Sequence, residues 1–200
     1  SMGLLKCLIG SMPDKYRWLT DLKGLECSVQ SGRADLLRSM DAGKADPLFY
    51  WVSTECLFYL SFISMNLSVD ESFNDTLISY HLKTGFKSPL SVYAASSLLL
   101  RVGKSSQALN ILESRFQSTS TFSFHYLDYL QGLCLLDAAD TTCRNYFRKF
   151  LSAFKGQTFI RSAWHKLAWS YLIKGDSITY QKCLKNILNS GTNLVDEDKQ

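Results

Sequence analysis

Proline is nearly missing from this sequence and glycine is sparse, with 3 and 11 in 200 residues, few of them inside apolar runs. So few chain breakers suggest many helices joined by short connections. Period-two alternation of apolar and polar residues, the mark of half-buried strands, is almost absent as well. Cysteine is present six times but without a C-x-x-C pair or knuckle spacing, and His81, His125 and His165 do not complement it at ligand distance. That pattern argues against a zinc site and against a disulfide framework, and no metal or other cofactor is expected. Five of the six cysteines sit among apolar residues, where a free thiol behaves as a small hydrophobe.

Charge of one sign is also lacking. The net +4 comes from 22 basic and 18 acidic residues scattered along the chain. The longest basic cluster, Arg144 to Lys149 ("RNYFRK"), is short, so nucleic-acid binding is not expected. Catalytic motifs are missing too. Gly103-Lys104-Ser105 resembles the tail of a phosphate-binding loop, but Leu98 stands where the first glycine should be and the segment follows a helix. From sequence, no nucleophile or carboxylate can be placed beside His125 or His165, and Asp137 and Asp140 flank a turn where capping is the simple role. Asn66-Leu67-Ser68 and Asn74-Asp75-Thr76 are glycosylation acceptors only in a eukaryotic secretory setting. An enzyme is not expected; a closed pocket holding a strongly perturbed titratable group would revive one.

What is present is helical periodicity. The reading gives helices near 3–9, 14–31, 34–41, 47–66, 71–84, 89–102, 105–117, 124–137, 140–154, 158–174 and 177–189, with another beginning at Val195 and cut off. Ser88-Pro89 is a helix start. Gly103, Gly156 and Gly175 follow helical runs, where a left-handed cap is wanted, and Asp140 and Asp176 suit N-caps. Ser118 to Ser123 is the clearest loop.

The stretch "PLFYWVSTECLFYLSFISMNL", Pro47 to Leu67, has the length of a membrane span, which needs about 20 predominantly apolar residues. Only 14 of its 21 residues are apolar, and Glu55 lies near the middle. A mid-membrane carboxylate costs on the order of 2.5–3.5 kcal/mol. Acidic residues flank both ends, and Thr54, Ser61 and Ser64 fall on one helix face. A core helix is expected, not an anchor.

The helical hairpins repeat. Placing Trp164 onward on Val92 onward puts Gly175 on Gly103, Ala168 on Ser96, Tyr171 on Leu99 and Leu184 on Leu112. "YLQGLCLLDAADTTCRNYFRKF" fits between them, with Gly132 at the small position and one residue fewer in the turn. Trp164, Leu167, Ala168, Tyr171, Gly175 and Asp176 resemble the tetratricopeptide repeat (TPR), in which small residues let two helices cross closely and bulky ones fill the gap to the next hairpin. Tyr180 and Arg144 depart from it where a small residue belongs. Two longer segments, Gly3 to Gly32 and Phe147 to Asp176, resemble parts of tetratricopeptide proteins of Bacteroidetes. The resemblance spans most of the chain and brings no known activity with it.

The resemblance implies an all-α fold of antiparallel helical hairpins stacked as a TPR-like right-handed superhelix, an α-α solenoid. An amino-terminal helical part, 1–87, would hold divergent repeats, and 88–200 three TPR-like hairpins plus the truncated helix. The opening Ser-Met-Gly reads as a tag remnant joined directly to an apolar helix, so earlier helices are expected in the natural chain. The resemblance also implies an exported protein of the periplasm or envelope, with the cytoplasm as the alternative.

By register, the concave face would carry Tyr93, Ser97 and Arg101 in the first repeat, and Tyr126, Tyr129 and Leu133 in the second. In the last it would carry His165, Lys166, Trp169 and Ile173. Such an aromatic groove with a few cations suits an extended peptide or partner helix, with Lys166 or Arg101 reaching a carboxylate. The competing expectation is that several of these residues pack inside the superhelix or against the preceding helices. The resulting reading is a protein-interaction scaffold without catalysis. Its rival is a structural part of an envelope or membrane-associated assembly, which an exposed apolar patch over the first third would favour.

Overall fold

The computed structural model describes residues 2–13, 15, 27–67, 70–84, 88–114, 123–190 and 196–199. Among them are ten α-helices and no strand, so the fold is all-α. The chain divides into two compact units between Val102 and Gly103. The sequence reading placed its boundary one helix earlier, at 87/88.

The first unit holds α1 (Met2–Gly10), α2 (Val29–Ala45), α3 (Tyr50–Asn66), α4 (Glu71–Thr84) and α5 (Pro89–Arg101). Here α2 packs against α1 and α3, and α3 also against α4 and α5. The expected break between 31 and 34 does not exist: one helix runs from Val29 to Ala45. It starts there because Ser28 and Ser31 form a capping box, each hydroxyl accepting the other's backbone N–H at 3.0 and 3.2 Å. Gly32 is not a breaker but a close crossing point. A Cβ on it would lie 2.4 Å from Cys7 Sγ and 2.5 Å from the Gly3 carbonyl oxygen of α1. Lys6 fastens the same crossing with a 2.6 Å bond to Asp35. The expected helix from 14 to 31 and the Ser118–Ser123 loop fall largely outside the described residues.

In α3, Ser53, Cys56, Leu57, Leu60, Ser61, Ile63 and Ser64 are buried, whereas Thr54, expected on the small face, is exposed. Ser53 takes that place: a Cβ on Gly43 would lie 2.9 Å from its backbone nitrogen, so α2 and α3 nearly touch there. With its 3-10 lead (Pro47–Phe49), Pro47–Asn66 is the one helix among the described residues long and apolar enough to cross a membrane, and 39% of that stretch is buried. Its serines bond within the unit, Ser61 to the Leu57 carbonyl and His81, and Ser64 to Asn74.

The second unit holds α6 (Ser105–Ser114), α7 (Tyr126–Asp137), α8 (Cys143–Ala153), α9 (Ile160–Leu172) and α10 (Ser177–Asn189). Each helix packs on the next, and α9 also touches α7. Gly132 lets α8 come close, since a Cβ there would lie 2.8 Å from the Phe147 ring. Gly103 and Gly175 are left-handed, with φ of +72° and +77°. Gly156 is not; the other left-handed residues are Ala139, after α7, and Phe159, before α9.

Asp176 caps α10 through the Thr179 N–H at 2.9 Å. Asp140 instead turns back onto Thr142, 2.8 Å from its N–H, and α8 begins only at Cys143. The carboxy-terminal segment forms a 3-10 turn, Asp196–Asp198, rather than the start of a helix. Its buried Asp198 carboxylate accepts the N–H groups of Phe159 (2.6 Å) and Ser162 (2.9 Å), capping α9 from a distant part of the chain.

Two glycines should respond oppositely to space and to backbone. Gly32→Ala must push α1 off α2 and is expected to cost about 1–3 kcal/mol, the usual range for overpacking. Gly175→Ala meets nothing within 4 Å but must hold φ near +77°, for about 1–2 kcal/mol. Urea unfolding of the single variants Gly32→Ala and Gly175→Ala measures both.

Candidate functional site

The ten expected groove residues fall in both units. In the first, Arg101 donates to the Met65 carbonyl at the end of α3, Ser97 keeps a buried hydroxyl without a hydrogen-bond partner, and Tyr93 is half-buried. Arg101 is therefore occupied as a helix cap. In the second, Tyr129 is not on a groove at all, being 3% exposed. Its hydroxyl meets Ser162 Oγ at 2.7 Å, and its ring packs against Phe147, Phe150 and Phe159. Tyr126 extends the same block toward Phe154 and bonds Thr158 at 2.9 Å. Both tyrosines tie α7 to the start of α9, and the aromatic content read as groove is core.

The last repeat is different. On α9, Leu167, Ala168 and Tyr171 face inward, while His165, Lys166, Trp169, Leu172 and Ile173 share the other side. Trp169, Leu172 and Ile173 are 41%, 48% and 55% exposed. Trp169 is held from two directions. The His165 ring stands edge-on to it at 4.7 Å, and Lys166 Nζ lies 4.2 Å from its ring centre, a cation–π contact. Desolvation pulls the Lys166 pKa down, partly opposed by Asp137, and pulls His165 down further in company with Lys166. Asp137 closes the edge of this face: it accepts from Ser105 at 2.6 Å and, with half-buried Leu133 four residues before it, lies on one side of α7. The expected capping role for Asp137 is replaced by this bond.

Along the sequence, the even scatter of charge expected from the totals fails here. Between Cys143 and Ser190 lie Arg144, Arg148, Lys149, Lys155, Arg161, Lys166, Lys174, Lys182 and Lys185 against the single carboxylate of Asp176. Arg144, anomalous as a repeat position, stacks 4.1 Å over the Tyr171 ring and donates to the Ser170 carbonyl at 2.6 Å, tying α8 to the end of α9. Arg148 reaches the Tyr171 hydroxyl.

The first unit contains a feature the sequence did not signal. A cavity of about 140 Å³ lies among α2, α3, α4 and the start of α5, with buried His81 in its wall. Burial lowers the His81 pKa to about 4. Such a histidine invites a catalytic reading, but its bonds speak against one. Ser61 gives its proton to the Leu57 carbonyl at 2.8 Å, so it can only accept from His81 Nε2, also at 2.8 Å. That leaves Nδ1 to accept from Ser91 at a long 3.3 Å. A neutral imidazole this weakly basic is a poor proton acceptor near pH 7. Beside His125, the Asp128 carboxylate lies 3.8 Å away and binds Lys149 at 3.0 Å. Among the described residues no cluster of His, Cys, Asp and Glu could hold a metal ion.

His81 makes a pH prediction. The unfolded chain protonates this histidine below about pH 6.5, the folded one only below about 4. Between those values the unfolded state binds more protons, so stability falls as the pH falls, by up to about 3 kcal/mol. Chemical denaturation from pH 7 to 4 should show this loss, and His81→Gln should flatten the slope over that window while lowering stability at pH 7.

Compared with protein families, with curated proteins and with solved structures, the chain matches none.

Proposed function

We propose that this chain is a TPR-like helical-repeat protein that works as an interaction module without catalysis, receiving an acidic, apolar-bearing segment of a protein partner on the outer face of α9. The neighbour-to-next packing from α6 to α10 is the order that stacked antiparallel hairpins would have. The close approach at Gly132 and the left-handed Gly175 agree with the repeat pattern. On this reading the helix from Pro47 to Asn66 is a core helix and not an anchor.

The observation that carries the proposal is the exposed Trp169, braced by His165 and Lys166 beside Leu172 and Ile173, in a stretch with nine basic residues and one acidic. A half-exposed tryptophan that is already ordered loses little freedom on binding, which suits it as an anchor. A cation beside the anchor, here Lys166, speeds and selects an acidic partner.

A second reading is favoured by the first unit. Among the described residues, eleven of the sixteen exposed large hydrophobic residues lie there, including the consecutive Leu48, Phe49, Tyr50 and Trp51, the last 62% exposed. This is the apolar surface over the amino-terminal part that a structural role in a larger assembly requires.

Fluorescence anisotropy with labelled amphipathic peptides distinguishes these readings. A Glu/Leu-rich helical peptide should bind, and its Lys/Leu-rich counterpart should not. Trp169→Ala or Lys166→Glu should weaken binding about tenfold or more, with circular dichroism unchanged. Tighter binding of a single-stranded oligonucleotide than of the acidic peptide would overturn the choice of partner. Loss on Trp51→Glu, with Trp169→Ala neutral, would support the second reading instead.

A further inference from the structure

We infer that the cavity of the first unit is a binding site for a small aryl or branched-alkyl carboxylate, with the hydrocarbon body inside and the carboxylate at Lys44. The inference does not depend on the α9 surface, which belongs to the other unit.

Size comes first. Apolar cavities of about 150 Å³ hold a benzene-sized body, and this one measures about 140 Å³. Its walls are mainly hydrocarbon, from Met40 on α2, Leu57 and Phe58 on α3, and Leu90 at the start of α5. Such walls give dispersion contacts to a hydrocarbon body of matching size. The one buried titratable group among the described lining residues, His81, has both ring nitrogens occupied by the hydroxyls of Ser61 and Ser91. The inside is therefore neutral and offers no reward for burying a charge.

The entrance supplies the selectivity. Among the described lining residues Lys44 alone carries a formal charge, and it is exposed, so it stands at the rim. Its ammonium is fixed 4.3 Å over the Tyr80 ring and donates one proton to Asp41 at 2.9 Å. An ammonium has three donors, so the remaining ones can meet a carboxylate without breaking the pair. Among the described lining residues none is acidic, and Asp41, which shares the ammonium, limits the preference to a modest one. A rigid apolar slot with one cation at its mouth selects an anion with a short hydrophobic body over its neutral or cationic counterparts.

Isothermal titration of the full chain at pH 7 with phenylacetate, 2-phenylacetamide and phenethylamine tests this. Phenylacetate should bind one to one, about threefold to fivefold more tightly than the amide, the range expected of one solvent-accessible ion pair, and the amine more weakly than either. Lys44→Met should remove the preference for the acid while leaving amide binding unchanged. Thr54→Phe, at an exposed lining position on α3, should fill the mouth and abolish both. Circular dichroism and the unfolding midpoint establish that each variant folds. No saturable binding of any of the three probes at millimolar concentration would overturn the site. Equal affinity for acid and amide, or a preference that survives Lys44→Met, would overturn the assignment of the carboxylate to Lys44.

Discussion

The ring of Tyr129 sits at the centre of the second unit, walled by Phe147 and Phe150 from α8 and by Phe159 ahead of α9. A buried phenol needs a partner for its hydroxyl, and Ser162 on α9 provides it at 2.7 Å. One side chain therefore combines hydrophobic burial with a directional bond between α7 and α9. The rotation of α9 follows from that bond, from Asp198 capping its start and from Arg144 gripping its end. With both ends and the inner stripe of Leu167, Ala168 and Tyr171 fixed, His165, Lys166, Trp169 and Ile173 have only the outer side left. The interaction surface is thus a consequence of how the core is filled.

The first unit solves a different packing problem. Its helices approach through missing or small side chains: Gly3 and Gly32 between α1 and α2, Gly43 and Ser53 between α2 and α3. Close backbone approach leaves little room for large residues at those crossings, and bulky ones such as Leu48 to Trp51 remain outside. The same geometry opens the cavity where α2, α3, α4 and α5 diverge. His81 stays there as a neutral hydrogen-bonding strut between Ser61 and Ser91, a role its burial enforces by making the charged form costly.

Helix existence was legible in the sequence because apolar residues recur with helical period, and caps at Ser88 and Asp176 follow from local chemistry. The helix boundaries near 31 and 34 were misplaced, and the reason for Gly32 is tertiary: the neighbour that requires a glycine lies on another helix. Asp198 as the cap of α9 could not be foreseen for the same reason, since it lies 36 positions along the chain from Ser162. Among the site residues, register alone does not separate a core aromatic from a groove aromatic. Tyr129 stands in register with the half-buried His165, and only the dense phenylalanine company around Tyr129 puts it in the core. The concentration of basic residues after Cys143 was legible and is hidden only when charge is totalled over the whole chain. The His81 cavity had no local signal, since four helices build it.

The most direct test of the α9 surface is a nuclear magnetic resonance map of amide and indole shifts as an acidic amphipathic peptide is added. The account predicts that the Trp169 indole and the amides around Lys166 and Ile173 shift together and saturate together, while the Trp51 indole and the amides of α2 and α3 stay in place. Shifts confined to Leu48 through Trp51 and the first unit, with Trp169 unmoved, would contradict it.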